Sequence, residues 1–158
     1  MAVGTGMVAH SGGKQRPSAV HSEIPANPST AAADVGTAVA RDCRVDLVLA
    51  LGGGSVLDAA KAVALPCHTD LSAESLDGSE CILAPALPIA AAPTTAGTGT
   101  ETNGFGVLKS ADRRIRLRCR HPWRGIAAVR GGYGHIAGLC RRILATDHLR
   151  PARRRRRR

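Results

Sequence analysis

The sequence predicts an α/β fold with a mostly parallel sheet, followed by a largely disordered basic tail. Three observations predict it. Short apolar runs alternate with helical patterns, turns dense in Gly or Thr follow those runs, and charge is divided unevenly along the 158 residues. Residues 1–108 carry five bases against ten acids, a net of −5, while residues 109–158 carry seventeen bases against two acids, a net of +15. The expected organisation is therefore an unmatched N-terminal segment at 1–21, a folded α/β unit at 22–108, and an Arg-rich tail at 109–158.

Each element follows from its residues. Ile24 to Pro28 is a proline-bracketed loop, after which Ser29 or Thr30 can cap a helix with Val35, Ala38, Val39 and Cys43 at helical spacing. Asp46 to Leu51 is a short apolar run of β-favouring character, followed at once by Gly52, Gly53, Gly54 and Ser55. Val56 to Leu65 consists of good helix formers and ends at Pro66. Cys67 to Pro85 is polar, acidic and expected to be irregular. Leu87 to Ala92 is a second buried strand, which Pro88 confines to an edge or makes start late. A loop dense in Gly and Thr, Pro93 to Thr100, leads to a short strand at Gly104 to Leu108.

From Lys109 onward Arg interrupts every apolar stretch, and the chain ends in six arginines, Arg153 to Arg158. Such a segment buries too little surface to offset the entropy of ordering it. Phe105, Trp123 and Tyr133 are the whole aromatic supply, so the core must come from Ala, Val, Leu and Ile. No apolar run approaches the roughly 18 to 20 residues of a membrane span, and the N-terminus has no apolar block of signal-peptide length. Five cysteines with no C-x-x-C pair read as reduced thiols, and the setting expected is cytoplasmic.

A strand that ends in three glycines and runs into a helix suits an anion. Glycines permit a sharp turn and close approach, and the free amides and dipole at the helix start favour negative charge. Gly53, Gly54 and Ser55 are the natural contacts, although the same cluster also serves as a tight connection with no ligand. The pattern matches neither G-x-x-x-x-G-K-[ST] nor G-x-G-x-x-G. Asp58 and Lys61, at i and i+3, form a local ion pair, or Asp58 accepts from a ribose hydroxyl. Thr94, Thr95, Thr98 and Thr100 are turn residues with locally satisfied hydroxyls, or they line a polar cleft at the end of a parallel strand.

LALGGGSVLDAAKAVAL at 49–65, followed by PIAAAPTTAGTGTETNGFGVL at 88–108 and preceded by IPANPST at 24–30, resembles the iron-type (group III) alcohol dehydrogenase family over residues 22–108. The resemblance implies an incomplete dinucleotide-binding parallel-sheet domain of an NAD- or NADP-dependent oxidoreductase, transferring hydride between the cofactor and a small alcohol, aldehyde or hydroxy acid. It further implies that Gly53, Gly54 and Ser55 hold the pyrophosphate, that Asp58 lies near the nicotinamide ribose, and that Thr94, Thr95 and Thr98 line the cofactor cleft. The family also carries iron or zinc on a C-terminal helical domain.

The departures shape the expectation. MAVGTGMVAHSGGKQRPSA shows no convincing apolar strand and helix ahead of the proline-asparagine loop, so the adenosine half of the cleft is expected to be missing. The family's metal-binding Asp and His, four apart, have no counterpart, because Asp112 is followed by Arg116 and Asp147 by Pro151. His121, His135 and His148 are scattered, so no metal ligand and no catalytic residue is assigned. The change of character between Lys109 and Arg120 suggests an out-of-frame or truncated coding end and little activity. The alternative from another functional class is sequence-blind nucleic-acid or polyanion binding through the tail.

Overall fold

In the computed structural model, the described residues are 6–10, 19–77, 86–118 and 126–128. The chain opens with two short strands, β1 (Gly6–His10) and β2 (Ala19–His21), followed by α1 (Thr30–Asp42), β3 (Leu47–Gly52) and α2 (Gly54–Ala64). It continues through β4 (Ile89–Pro93), β5 (Phe105–Lys109), β6 (Arg114–Arg118) and β7 (Ile126–Ala128). One sheet has the order β2-β1-β3-β4-β7, and β5 and β6 form a separate antiparallel pair. The strands β3, β4 and β7 are parallel to one another, whereas β1 runs antiparallel to both of its neighbours.

Ser29 caps α1, its side chain accepting from the Ala32 amide at 3.1 Å. The buried face of α1 is Ala33, Gly36, Thr37 and Ala40, and Val35 is 55% exposed. This corrects the apolar stripe expected through Val35 and Ala38. Two helices that meet closely need small side chains at the crossing, and α1 packs on α2. Pro88 delays β4 to Ile89 without putting it on an edge, since β4 lies between β3 and β7. The Pro88 carbonyl accepts from Val48 N at 3.0 Å, so the residue contributes the one ladder group it has.

Helix α2 is apolar on nearly every face because it is covered on two sides. Val56, Leu57, Ala60, Val63 and Ala64 join the sheet-side core with Val48, Ala50, Ile89 and Ala91. On the other side, Ala62 packs with Leu76, Leu108, Ile115 and Leu117, where the β5–β6 hairpin closes over it. Neither cluster contains an aromatic side chain, and Phe105 is 54% exposed.

Two expectations are revised. The N-terminal segment contributes β1, which pairs along its whole length with β3, although no helix precedes Thr30 among the described residues. A five-residue strand acquires its stability from its neighbours, and its own composition says little about it. The Arg-rich region is ordered at 110–118, where Ile115 and Leu117 point inward while Arg114 and Arg116 point out. That is a period of two, the pattern of a half-buried strand. The other tail positions, including His121, His135, His148 and Arg153–Arg158, lie outside the described residues, apart from β7. The acidic stretch after α2 holds this hairpin: Arg113 pairs with Asp77 at 2.8 Å and Glu74 at 3.7 Å, and Asp77 Oδ1 accepts from Arg116 N at 3.2 Å. Among the described residues, no helix is long and apolar enough to cross a membrane.

Candidate functional site

The register of the sheet sets the site. Gly52 of β3 is paired with Pro93 of β4, so both strands finish at the same level and their following loops leave side by side. In a parallel sheet this carboxyl edge is where ligands bind. Thr94 N donates to Gly52 O at 2.9 Å, fastening the Thr-rich loop to the start of the glycine turn.

Gly53 is the extended residue that begins α2, its carbonyl accepting from Val56 N at 3.0 Å and Leu57 N at 3.2 Å. Gly54 and Ser55 occupy the first turn, where amides have no intrahelical acceptor and the helix dipole is positive. A Cβ on Gly53 would lie 3.0 Å from Thr95 Oγ1, and one on Gly54 would lie 3.1 Å from Thr98 Cγ2. The two motifs, some forty residues apart, are therefore in contact. A side chain at either glycine would press on a threonine before any ligand arrives, a reason for glycine that the turn alone could not reveal. Thr94, Thr95 and Thr98 are all exposed on that edge. Gly97 and Gly99 give the loop its two left-handed residues, at φ 101° and 61°.

Asp58 and Lys61 form the expected pair, at 3.9 Å, but each does more. Asp58 Oδ2 accepts from Val107 N at 3.1 Å, joining α2 to β5. Burial raises the Asp58 carboxyl above the ordinary aspartate range, against the opposing pull of the Val107 amide, Lys61 and the Thr100 hydroxyl. Lys61 is 1% exposed. Its Nζ donates to Thr100 O at 2.8 Å, to Asn103 Oδ1 at 3.3 Å and to Phe105 O. A buried ammonium with this many acceptors ties the loop beyond Thr98 onto α2.

A cleft of about 480 Å³ opens beside this edge, lined by Ser55 and Asp58, by Asn27 and Pro28, and by the hairpin from Val107 to Arg114. Lys109 N donates to Pro28 O at 2.8 Å, which brings the proline-asparagine loop to the hairpin. The hairpin wall, with Lys109, Arg113 and Arg114, went unrecognised in the sequence, although the alternation from Arg114 to Leu117 was the signal for it. Among the described residues, no group of three His, Cys, Asp or Glu side chains is placed to hold a metal ion.

The profile of the iron-containing alcohol dehydrogenase family matches residues 6–125, extending beyond 22–108 on both sides. The chain is 37% identical over 98 residues to NADH-dependent butanol dehydrogenase B of Clostridium acetobutylicum, covering 61% of this chain and 25% of that protein. It is 50% identical over 80 residues to the probable alcohol dehydrogenase EutG of Salmonella typhimurium, covering 49% of this chain and 20% of that one. Among solved structures, it is similar to sulfoacetaldehyde reductase from Bifidobacterium kashiwanohense in complex with NAD+, with a TM-score of 0.61 and 32% identity over 69% of this chain and 30% of that one. The chain thus spans only a fifth to a quarter of the length of these two sequence relatives.

Proposed function

Because the chain belongs to the iron-containing alcohol dehydrogenase family, we propose that it carries the diphosphate-binding part of an NAD(P)-dependent oxidoreductase of small alcohols and aldehydes. The contact of Gly53 and Gly54 with Thr95 and Thr98 is the observation that carries this reading. It unites first-turn amides and threonine hydroxyls in one donor-rich rim at the carboxyl edge of a parallel sheet. The names of the relatives, which specify NADH and NAD+, support the choice of dinucleotide.

On this reading Gly53, Gly54 and Ser55 donate their amides to diphosphate oxygens, and Thr94, Thr95 and Thr98 add hydroxyl donors from the facing loop. Asp58 keeps one carboxylate oxygen on Val107 N, and a ribose hydroxyl is a suitable donor for its remaining lone pairs. Lys61 holds the loop in place from below. Bound NADH or NADPH supplies a hydride to a carbonyl carbon. The described residues do not suit the family's iron or zinc, so no step is drawn through a metal. Because no Asp in residues 109–158 is followed four later by His, turnover by this chain should be slight. We also propose that the composition of the tail reflects an out-of-frame coding end. Translating the genomic DNA in the other frames past the codons near residue 120 should then yield a metal-binding Asp and His four apart, and finding none would reject it.

The test is to titrate the purified full chain with NADH and follow cofactor fluorescence. A saturable signal that Ser55→Pro or Gly54→Val abolishes is expected. No saturation in the unaltered chain would reject the reading.

A further inference from the structure

The cleft beside the glycine turn has two walls of different chemistry. Ser55 and Asp58, from the first turns of α2, stand on one side, and the β5–β6 hairpin stands on the other. The register of the hairpin sets Lys109 directly opposite Arg114, and both are exposed residues that line the cleft. Opposed residues of an antiparallel pair share a face at a separation of about 5 Å, so two like charges there repel.

The other charges around the cleft are largely matched. Arg113 pairs with Asp77 and Glu74, and Asp58 pairs with Lys61. No ion pair among the described residues takes up Lys109 or Arg114, and Asp112, in the hairpin turn, is the remaining acid that lines the cleft. An anion between the walls relieves the repulsion and meets a positive potential that the cleft focuses. Of the two cations, Lys109 is the more firmly placed. Its backbone N–H donates to Pro28 O at 2.8 Å and it bridges to Ser29, which fixes its backbone beside the proline-asparagine loop. The fold holds Lys109 by its backbone, which leaves the ammonium for a ligand.

We propose that Lys109 is an anion-binding residue, its ammonium pairing across the cleft from Ser55 with a phosphoryl oxygen of the dinucleotide. The proposal rests on the dinucleotide reading above and adds a full positive charge, which the glycine turn and the threonine loop lack. Amides and hydroxyls fix where a phosphoryl group sits, whereas a lysine adds an attraction that salt screens.

The experiment measures binding of NADH, ADP-ribose and inorganic pyrophosphate to the full chain at low and at near-physiological salt. Wild type is compared with Lys109→Gln, Lys109→Arg and Arg116→Gln. Arg116 is an exposed cation of β6 that does not line the cleft, so its loss matches the change in net charge. Lys109→Gln should bind all three ligands about three- to tenfold more weakly at low salt, the scale of one exposed charge-assisted contact. The difference should shrink as salt rises, and Lys109→Arg should recover most of the loss. Arg116→Gln should stay within about twofold of wild type, as a screened distant charge does. Ligand-free Lys109→Gln should melt with wild type, because glutamine keeps the backbone N–H that bonds Pro28. With NADH bound by wild type, unchanged affinity in Lys109→Gln, a loss for NADH but not for ADP-ribose, an equal loss in Arg116→Gln, or a lower melting temperature in Lys109→Gln would overturn the proposal and leave the dinucleotide reading standing. Pyrophosphate binding that depends on Lys109, with no saturation by NADH, would overturn the dinucleotide reading and support the anion site. Binding of none of the three by wild type would overturn both.

Discussion

Replacing Gly53 by Ala tests whether the glycine turn and the threonine loop are one unit. The backbone at Gly53, φ −79° and ψ −172°, is open to any residue, so alanine brings no backbone strain. Its Cβ would lie 3.0 Å from Thr95 Oγ1 and 3.3 Å from Thr95 Cγ2, tighter than most Cβ contacts, so the threonine must give by a few tenths of an ångström. Thr95 must rotate or the loop must shift, which costs about 0.5 to 1.5 kcal/mol for a side chain driven off its rotamer. Alanine is also a poorer start to a helix than glycine, by up to about 1 kcal/mol. The expected loss is therefore roughly 1 to 2 kcal/mol, read by urea denaturation of the full chain.

Thr95→Ala separates the two contributions, because it removes both close atoms and leaves Thr95 Cβ at 3.8 Å. In that background Gly53→Ala should cost only the helix-start portion, giving a coupling of about 0.5 to 1.5 kcal/mol between the two positions. NADH binding should be weakened in the Thr95→Ala and double variants alike, since the Thr95 hydroxyl is gone. Strict additivity of the two substitutions would refute the reasoning.

Other perturbations probe the supports of the site. Lys61→Met strands the buried Thr100 carbonyl, so a loss of about 3 kcal/mol or more is expected, with faster proteolysis between Thr94 and Phe105; a loss under about 1 kcal/mol would show that the ammonium is dispensable. The raised carboxyl of Asp58 fixes a sign of pH dependence. A folded-state pKa above the unfolded one contributes stability below the ordinary aspartate value, about 3.9, and that contribution is lost as pH rises through the raised value. Wild type should therefore lose stability relative to Asp58→Asn as pH rises from below the ordinary aspartate value through the raised one, and parallel profiles would contradict this. Leu117→Ala should destabilise by about 2 to 4 kcal/mol, while Arg116→Ala should change little; equal, negligible effects would mean the hairpin does not close the core.

Much of the site was legible in the chain. The run Asp46 to Leu51, the glycine turn and the helix to Pro66 appear as β3 and α2 within a residue or two, because apolar patterning, glycine and proline act locally. The Ser29 cap and the late start of the strand after Pro88 follow from equally local rules. Val35, the N-terminal strand and the arginine hairpin were misjudged, because each takes its environment from a distant partner: α2 for the face of α1, β3 for β1, and Leu76 with Leu108 for Ile115 and Leu117.

The amino-acid order by itself determined that a strand ends at the glycines, that a helix follows them and stops before Pro66, and that a turn of this composition suits an anion. The assembled fold alone decided that Thr95 and Thr98 rest on Gly53 and Gly54, and that Lys61 spends its charge on loop carbonyls. Local rules depend on residues a few positions apart, whereas these contacts join positions about forty apart, and only the register of β3 against β4 brings such positions within reach.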